Sequence, residues 1–294
     1  MRIVMDFDGV YTDPSAEGLE CARNFNEKIV ALGLKDLETP QKVESWLGEL
    51  RVRQARDPFK FGWRSEGRVS AFTFEDPFIR NIGMADYLDH LVKEGDARAK
   101  LILSHLVKKE KIQDFGSLSE WSFHQLKIKK EADPAALRWV REALKNGHEV
   151  IIVSNSATEK IEDFLTQNEF GVERPKVRGG ARKFGLGTQK NAVKKIAIAQ
   201  SPVHGAVEVH TDRPLYEAAL MELQPDAVVG DVFSLDLALP VRLKREKKLA
   251  LKGGIYYRLR DYTPSTLVDY FSKRQNQVPE VTTLRDWSQL KLDS

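Results

Sequence analysis

Apolar residues recur along this chain in two rhythms. Short unbroken runs, Ile3-Val4-Met5, Val150-Ile151-Ile152-Val153 and Ala227-Val228-Val229, suit strands buried on both faces of a sheet. A further run, Ala206-Val207-Glu208-Val209-His210, is read as a strand of the same kind. Between the first run and the others, apolar positions fall at helical spacing instead. Ala16 to Leu32 predicts a helix, with Leu19, Ala22, Ile29 and Val30 near one face. Thr39-Pro40 offers a capping hydroxyl and a proline for a first turn, followed by Val43, Trp46, Leu47 and Leu50. Asp57 to Phe74 is mixed, read as loop with a short strand. Asp76-Pro77 opens another helix, with Ile79, Ile82, Leu88, Leu91 and Val92 inward. Helices are expected over Asp96 to Lys109 and over Ser117 to Lys130, the last turning Leu118, Trp121 and Leu126 inward.

From Asp133-Pro134 strands and helices alternate. Asp133 caps a helix carrying Leu137, Val140 and Leu144, and Asn146-Gly147 ends it. The strand at 150–153 stops at Ser154-Asn155, and a helix from about Thr158 places Ile161, Phe164 and Leu165 inward. Pro175 to Gly187 is glycine-rich and basic and holds Lys183. A helix is expected over Thr188 to Ala199, then the strand ending at Thr211-Asp212, then a helix opened by Pro214, then the strand at 227–229. This alternation predicts an α/β fold, a Rossmann-like parallel sheet with helices on both faces. The expected domains are an α/β core from residues 1–14 and 133–294 and a helical domain over 15–132. The core carries a basic extension from about residue 239, where Gly253-Gly254 reads as a hairpin turn and Thr263-Pro264 as a helix start. Residues beyond Arg274 are not placed.

Composition adds bounds. The chain has 294 residues, 41% hydrophobic and 30% charged, with net charge +3, which is globular and too weakly basic to imply nucleic acid. One cysteine, Cys21, excludes an internal disulfide framework and a cysteine zinc site, and is read as a packing residue. The chain enters a strand at once and has no bilayer-length apolar run, so no membrane partner and a cytoplasmic location are expected.

The chemistry gathers at strand ends. Asp6 and Asp8 follow the first strand at once, and unpaired carboxylates there are costly unless a cation offsets them. In open α/β sheets, ligands bind at the carboxyl ends of the strands. Ser154-Asn155 ends the second strand, Lys183 follows, and Asp212 with Glu217 ends the run at 206–210. Gly230-Asp231 with Asp236 offers a competing acidic pair, and Lys190 competes with Lys183. The residues alone leave the choice between these acidic pairs open.

In this order the chain resembles the haloacid dehalogenase-like superfamily. Asp6-Phe7-Asp8-Gly9-Val10 matches its first motif, Val153-Ser154-Asn155 the second, Lys183 the third, and Asp212 with Glu217 the fourth. The helical segment resembles the family's cap domain, inserted after the first motif and closing over the site. The resemblance implies a Mg²⁺-dependent phosphatase hydrolysing a small phosphorylated metabolite through an aspartyl-phosphate intermediate. Asp6 would be the nucleophile and Asp8 the general acid and then base. Mg²⁺ would be held by the Asp6 carboxylate, the Asp8 backbone carbonyl and Asp212. Gly9, Ser154 and Asn155 would bind phosphate, Lys183 would offset charge, and Glu217 would orient metal waters or Lys183. Asp8 favours phosphoester over carbon–halogen chemistry, because a departing halide needs no proton. Alternatives of the same superfamily are a phosphotransferase or mutase, and a catalytically degenerate binding protein. Lys60, Trp63 and Arg64 are candidates for substrate contact.

Overall fold

The computed structural model describes residues 1–188, 194–201, 205–272 and 278–290. The chain divides into two compact units. One comprises Met1–Pro14, Ser65–Ala71 and Lys130–Ser294, the other Ser15–Arg64 and Phe72–Lys129. Two stretches therefore differ from the expected boundaries: Ser65–Ala71 and Lys130–Ala132 group with the sheet.

In chain order the elements begin with strands β1 (Arg2–Met5) and β2 (Thr12–Asp13), then helices α1 (Ser15–Val30) and α2 (Pro40–Gln54). Strands β3 (Gly62–Ser65) and β4 (Arg68–Phe72) follow where loop with a short strand was expected. Next come α3 (Pro77–Lys93), α4 (Ala97–His105) and α5 (Phe115–His124). The helical unit packs around Phe25, Ile29, Val43, Leu47, Leu88 and Phe115. Its helix starts follow the capping residues: Thr39, Asp76 and Asp114 each accept a backbone N–H of the first turn. Helix α5 ends at His124, short of the expected Lys130, and α4 gives way at Leu106–Glu110 to a wider π-helical turn.

The sheet unit continues with β5 (Glu131–Ala132), α6 (Pro134–Lys145), β6 (Glu149–Val153), α7 (Thr158–Gln167) and β7 (Lys176–Arg178). Strands β8 (Lys195–Ser201) and β9 (Gly205–His210) precede α8 (Pro214–Leu223) and β10 (Ala227–Gly230). The remaining elements are α9 (Ala238–Arg245), β11 (Gly254–Arg258), α10 (Ser265–Ser272) and β12 (Val281–Leu284). Six strands form one parallel sheet in the order β12-β11-β10-β1-β6-β7. Ile3, Met5, Val150, Ile152, Ala227 and Val229 share one apolar cluster with residues of α6 and α7. The alternate residues Val4, Ile151, Val228 and Ile255 are buried too, so both faces are covered. This is the α/β, Rossmann-like class expected. No helix among the described residues is long and apolar enough to cross a membrane.

Three local expectations fail. Residues 195–199, expected in a helix, lie in β8, and Thr188 and Lys194 lie in no element; positions 189–193, with Lys190, fall outside the described residues. Strand β9 pairs antiparallel with β8 in a ribbon apart from the main sheet. Gly253-Gly254 turns no hairpin, since β11 runs parallel to both β10 and β12.

Candidate active site

From β1 the chain adds β6 and β7 on one side of the sheet, then returns to add β10, β11 and β12 on the other. The reversal puts a topological switch point between β1 and β10, where open α/β sheets bind ligands at the strand carboxyl ends. Asp6 stands at that end of β1 and Asp231 at that end of β10. The Asp6 N–H bonds the Val229 carbonyl at 2.9 Å, which ties the two strand ends together.

Gly9 follows in the left-handed region, with φ +76°. A Cβ there would stand 1.8 Å from Asp231 Oδ2, so the missing side chain makes the hollow that the Asp231 carboxylate occupies. Gly230 serves Asp236 in the same way: its Cβ would lie 2.3 Å from that of Asp236. Asp236 lies in the turn of π-helix Phe233–Leu237 that leads into α9, and its Oδ2 accepts the Val232 N–H at 3.0 Å.

Lys183 reaches this pair of strand ends from the loop after β7. Its side chain is 1% exposed, and its ammonium donates to Asp6 Oδ1 at 2.6 Å and to Asp236 Oδ1 at 2.8 Å. Burial would lower its pKa, but Asp236 and then Asp6 hold it above the ordinary lysine value, so it stays charged. The loop is stitched to the end of β6. Asn155 Oδ1 accepts the Lys183 N–H at 2.7 Å, and the Ser154 carbonyl accepts the Ala181 N–H at 2.8 Å. Strand β4 adds support: Ser70 Oγ donates to the Phe184 carbonyl, and buried Arg213 donates to the Ser70 side chain and to the Lys183 carbonyl.

Asp8 is held separately. Its Oδ1 accepts from Lys130 at 2.5 Å and its Oδ2 from Ser156 Oγ at 2.8 Å. Burial would raise the Asp8 carboxyl, but the Lys130 charge and the hydrogen bonds from Lys130 and Ser156 keep it below the usual carboxylate range. Ser154 is 1% exposed, and its Oγ accepts the Ser156 N–H.

The expectations for Asp212 and Glu217 are corrected by this placement. Asp212 follows β9, which lies outside the parallel sheet, and it pairs with Arg68 at 2.9 Å. Glu217 on α8 is bonded by Arg242 at 2.5 Å, not by Lys183. Asp231 after β10 and Asp236 before α9, not Asp212 and Glu217, are the acids that lie with Asp6 and Lys183. Lys130, Ser156 and Tyr262 also touch the site's carboxylates, and none was picked out from the sequence. Ser156 had a signal, as a third polar residue in the turn after β6. Arg64, a candidate for substrate contact, is engaged by Asp86 at 2.6 Å.

Among the described residues, Asp6, Asp231 and Asp236 each offer a carboxylate oxygen, and these three oxygens lie within 4.8 Å of one another. The donor set is all oxygen and hard, which suits Mg²⁺ and not a thiolate-seeking metal. Its charge points the same way: the three carboxylates lie close together, with Lys183 donating to Asp6 and Asp236 and the Arg260 charge acting on Asp231. Burial raises the Asp6 carboxyl, Lys183 pulls it back, and Asp236 and Asp8 push it up again, to about 7. A divalent cation would relieve that excess of negative charge. The residues present therefore fit Mg²⁺.

No family model matches the chain, and no curated protein matches it. Among solved structures it is similar to a haloacid dehalogenase-like family hydrolase from Xanthomonas campestris, at 14% identity over 99% of this chain and 88% of the other, with TM-score 0.42. It is also similar to a Bacillus subtilis protein described as a HAD-hydrolase and bound to magnesium, at 11% identity over 98% and 96%, with TM-score 0.46. A third is CbbY from Rhodobacter sphaeroides in complex with phosphate, at 13% identity over 98% and 95%, with TM-score 0.41. At such identities and scores a likeness transfers no activity.

Proposed function

We propose that this chain is a haloacid dehalogenase-like phosphatase that uses Mg²⁺ to hydrolyse a small phosphorylated metabolite. One observation carries the reading. Separate segments bring Asp6, Lys183, Asp231 and Asp236 together at the switch point of the sheet. In this reading Asp6, Asp231 and the Asp8 backbone carbonyl hold the metal, with Asp236 beside them. When bound, Mg²⁺ neutralises charge so that an anionic nucleophile can meet an anionic phosphate. Asp6 attacks phosphorus; a P–O bond to its carboxylate forms as the bond to the leaving oxygen breaks. Lys183 balances charge on Asp6 and on the transferring group. The Asp8–Lys130 pair supplies the leaving oxygen's proton, and Asp8 then takes a proton from the water that splits the aspartyl phosphate. Gly9, Ser154 and Asn155 line the phosphate position.

The test is phosphate release from para-nitrophenyl phosphate and a panel of phosphorylated metabolites, with and without Mg²⁺. Release that requires Mg²⁺, disappears in Asp6→Asn, falls strongly in Asp231→Asn and survives in Asp212→Asn is the expected result. Activity that persists in Asp6→Asn refutes the nucleophile. Phosphate passed to a sugar in preference to water would make the protein a phosphotransferase.

A further inference from the structure

Tyr262 lies just beyond β11, in a stretch that holds none of the residues assigned above. Its hydroxyl donates to Asp231 Oδ2 at 2.6 Å. That carboxylate is fully buried and already seated in the hollow over Gly9, where a Cβ would stand 1.8 Å from the same oxygen. The acid is thus held between the backbone of the Asp6 turn and a phenol. The phenol is itself fixed. Arg260 and Thr263 close a turn around it, with the Arg260 N–H on Thr263 Oγ1 at 2.9 Å and the Thr263 N–H on the Arg260 carbonyl at 2.9 Å. The Arg260 guanidinium then anchors the turn, donating to Asp133 Oδ2 at 2.8 Å and to the Thr12 carbonyl. These bonds fix the turn that presents the phenol to the buried carboxylate.

We propose that Tyr262 is the positioning residue of Asp231, holding that carboxylate in the orientation in which it serves as a ligand to a divalent cation. The inference rests on the Mg²⁺ site proposed above. It assigns a role at that site to the segment after β11. A hydrogen bond to a ligating carboxylate restricts its rotation, and loss of such a partner typically weakens metal binding ten- to a hundredfold.

The experiment is Mg²⁺ titration of the full chain by calorimetry, comparing wild type, Tyr262→Phe and Tyr257→Phe. Tyr257 loses the same hydroxyl from β11 itself, where its ring packs against Phe233 and Phe271. Tyr262→Phe is expected to weaken Mg²⁺ about tenfold or more, with the metal-free urea midpoint nearly unchanged. Tyr257→Phe is expected to keep wild-type affinity. A merely structural Tyr262 would lower the urea midpoint and leave the affinity of the folded protein alone, which would overturn the proposal. Equal weakening by both variants would overturn it as well. Wild type that binds no Mg²⁺ would remove the metal site and this role together, whereas wild-type binding with an unchanged Tyr262→Phe removes the Tyr262 role alone.

Discussion

Asp6→Asn should make the metal-free protein more stable, and the gain should grow with pH. Burial, more than the neighbouring charges, moves the Asp6 carboxyl from an ordinary 3.8 to about 7. A folded acid with a raised pKa binds its proton more tightly than the unfolded chain does. Its contribution to stability is therefore intact below the unfolded value and is lost as pH rises toward the folded one. The shift is about three units at about 1.4 kcal/mol each, a loss of about 4 kcal/mol at pH 8 and about 2 kcal/mol at pH 5. Asparagine mimics the neutral acid and escapes that loss. The assay is amide hydrogen exchange of the β1, β6 and β10 peptides in chelator at both pH values, with and without Mg²⁺. The variant should be the more stable in chelator, by more at pH 8 than at pH 5. Mg²⁺ should then stabilise wild type and leave the variant nearly unmoved, since a ligand stabilises only the state that binds it. A variant less stable than wild type in chelator at pH 8 would refute the reasoning, because it would mean that the Lys183 bond outweighs the burial of the charge.

Gly9→Ala combines φ +76° with a Cβ 1.8 Å from Asp231, so Mg²⁺ affinity should fall at least tenfold by calorimetry; Gly33→Ala, at φ +69° with open space around it, should cost only about 1 kcal/mol of stability. Lys130→Met removes the charge that keeps Asp8 low, leaving burial to raise it. The acid limb of the pH–rate profile for phosphate release should then move to higher pH, because Asp8 must be ionised to activate water. Ser70→Ala takes away the hydroxyl between Arg213 and the Phe184 carbonyl, so kcat should fall severalfold through the Lys183 loop while the Asp231 contacts, read by Mg²⁺ affinity, stay intact.

The two ends of this site differ in how far the sequence exposes them, and the difference is physical. The first strand declares itself locally: Ile3-Val4-Met5 is apolar without a break, and the acids and glycine follow at once. Lys183 is named from its place in the motif order, within a glycine-rich basic loop, although only the folded chain brings its ammonium to Asp6 and Asp236. Asp212 is preferred to Asp231 on motif order, although the residues themselves carry a contrary signal. Val207, Glu208 and Val209 alternate, with Glu208 exposed between buried neighbours, which is how a ribbon with one wet face is written. Ala227-Val228-Val229-Gly230 has no polar member because a central parallel strand is covered on both faces, and its glycine is needed where Asp236 folds back. Alternation against continuity therefore separated the two candidates, and Glu208 with His210 carried that signal. Tyr262 and Lys130 had none to give. Each meets its carboxylate across a gap of 31 or 122 positions, and neither stands in a periodic pattern that would aim it there. A residue that acts through one long-range hydrogen bond leaves no trace in composition or spacing, so the supporting shell of such a site becomes visible only once the backbone has closed around it.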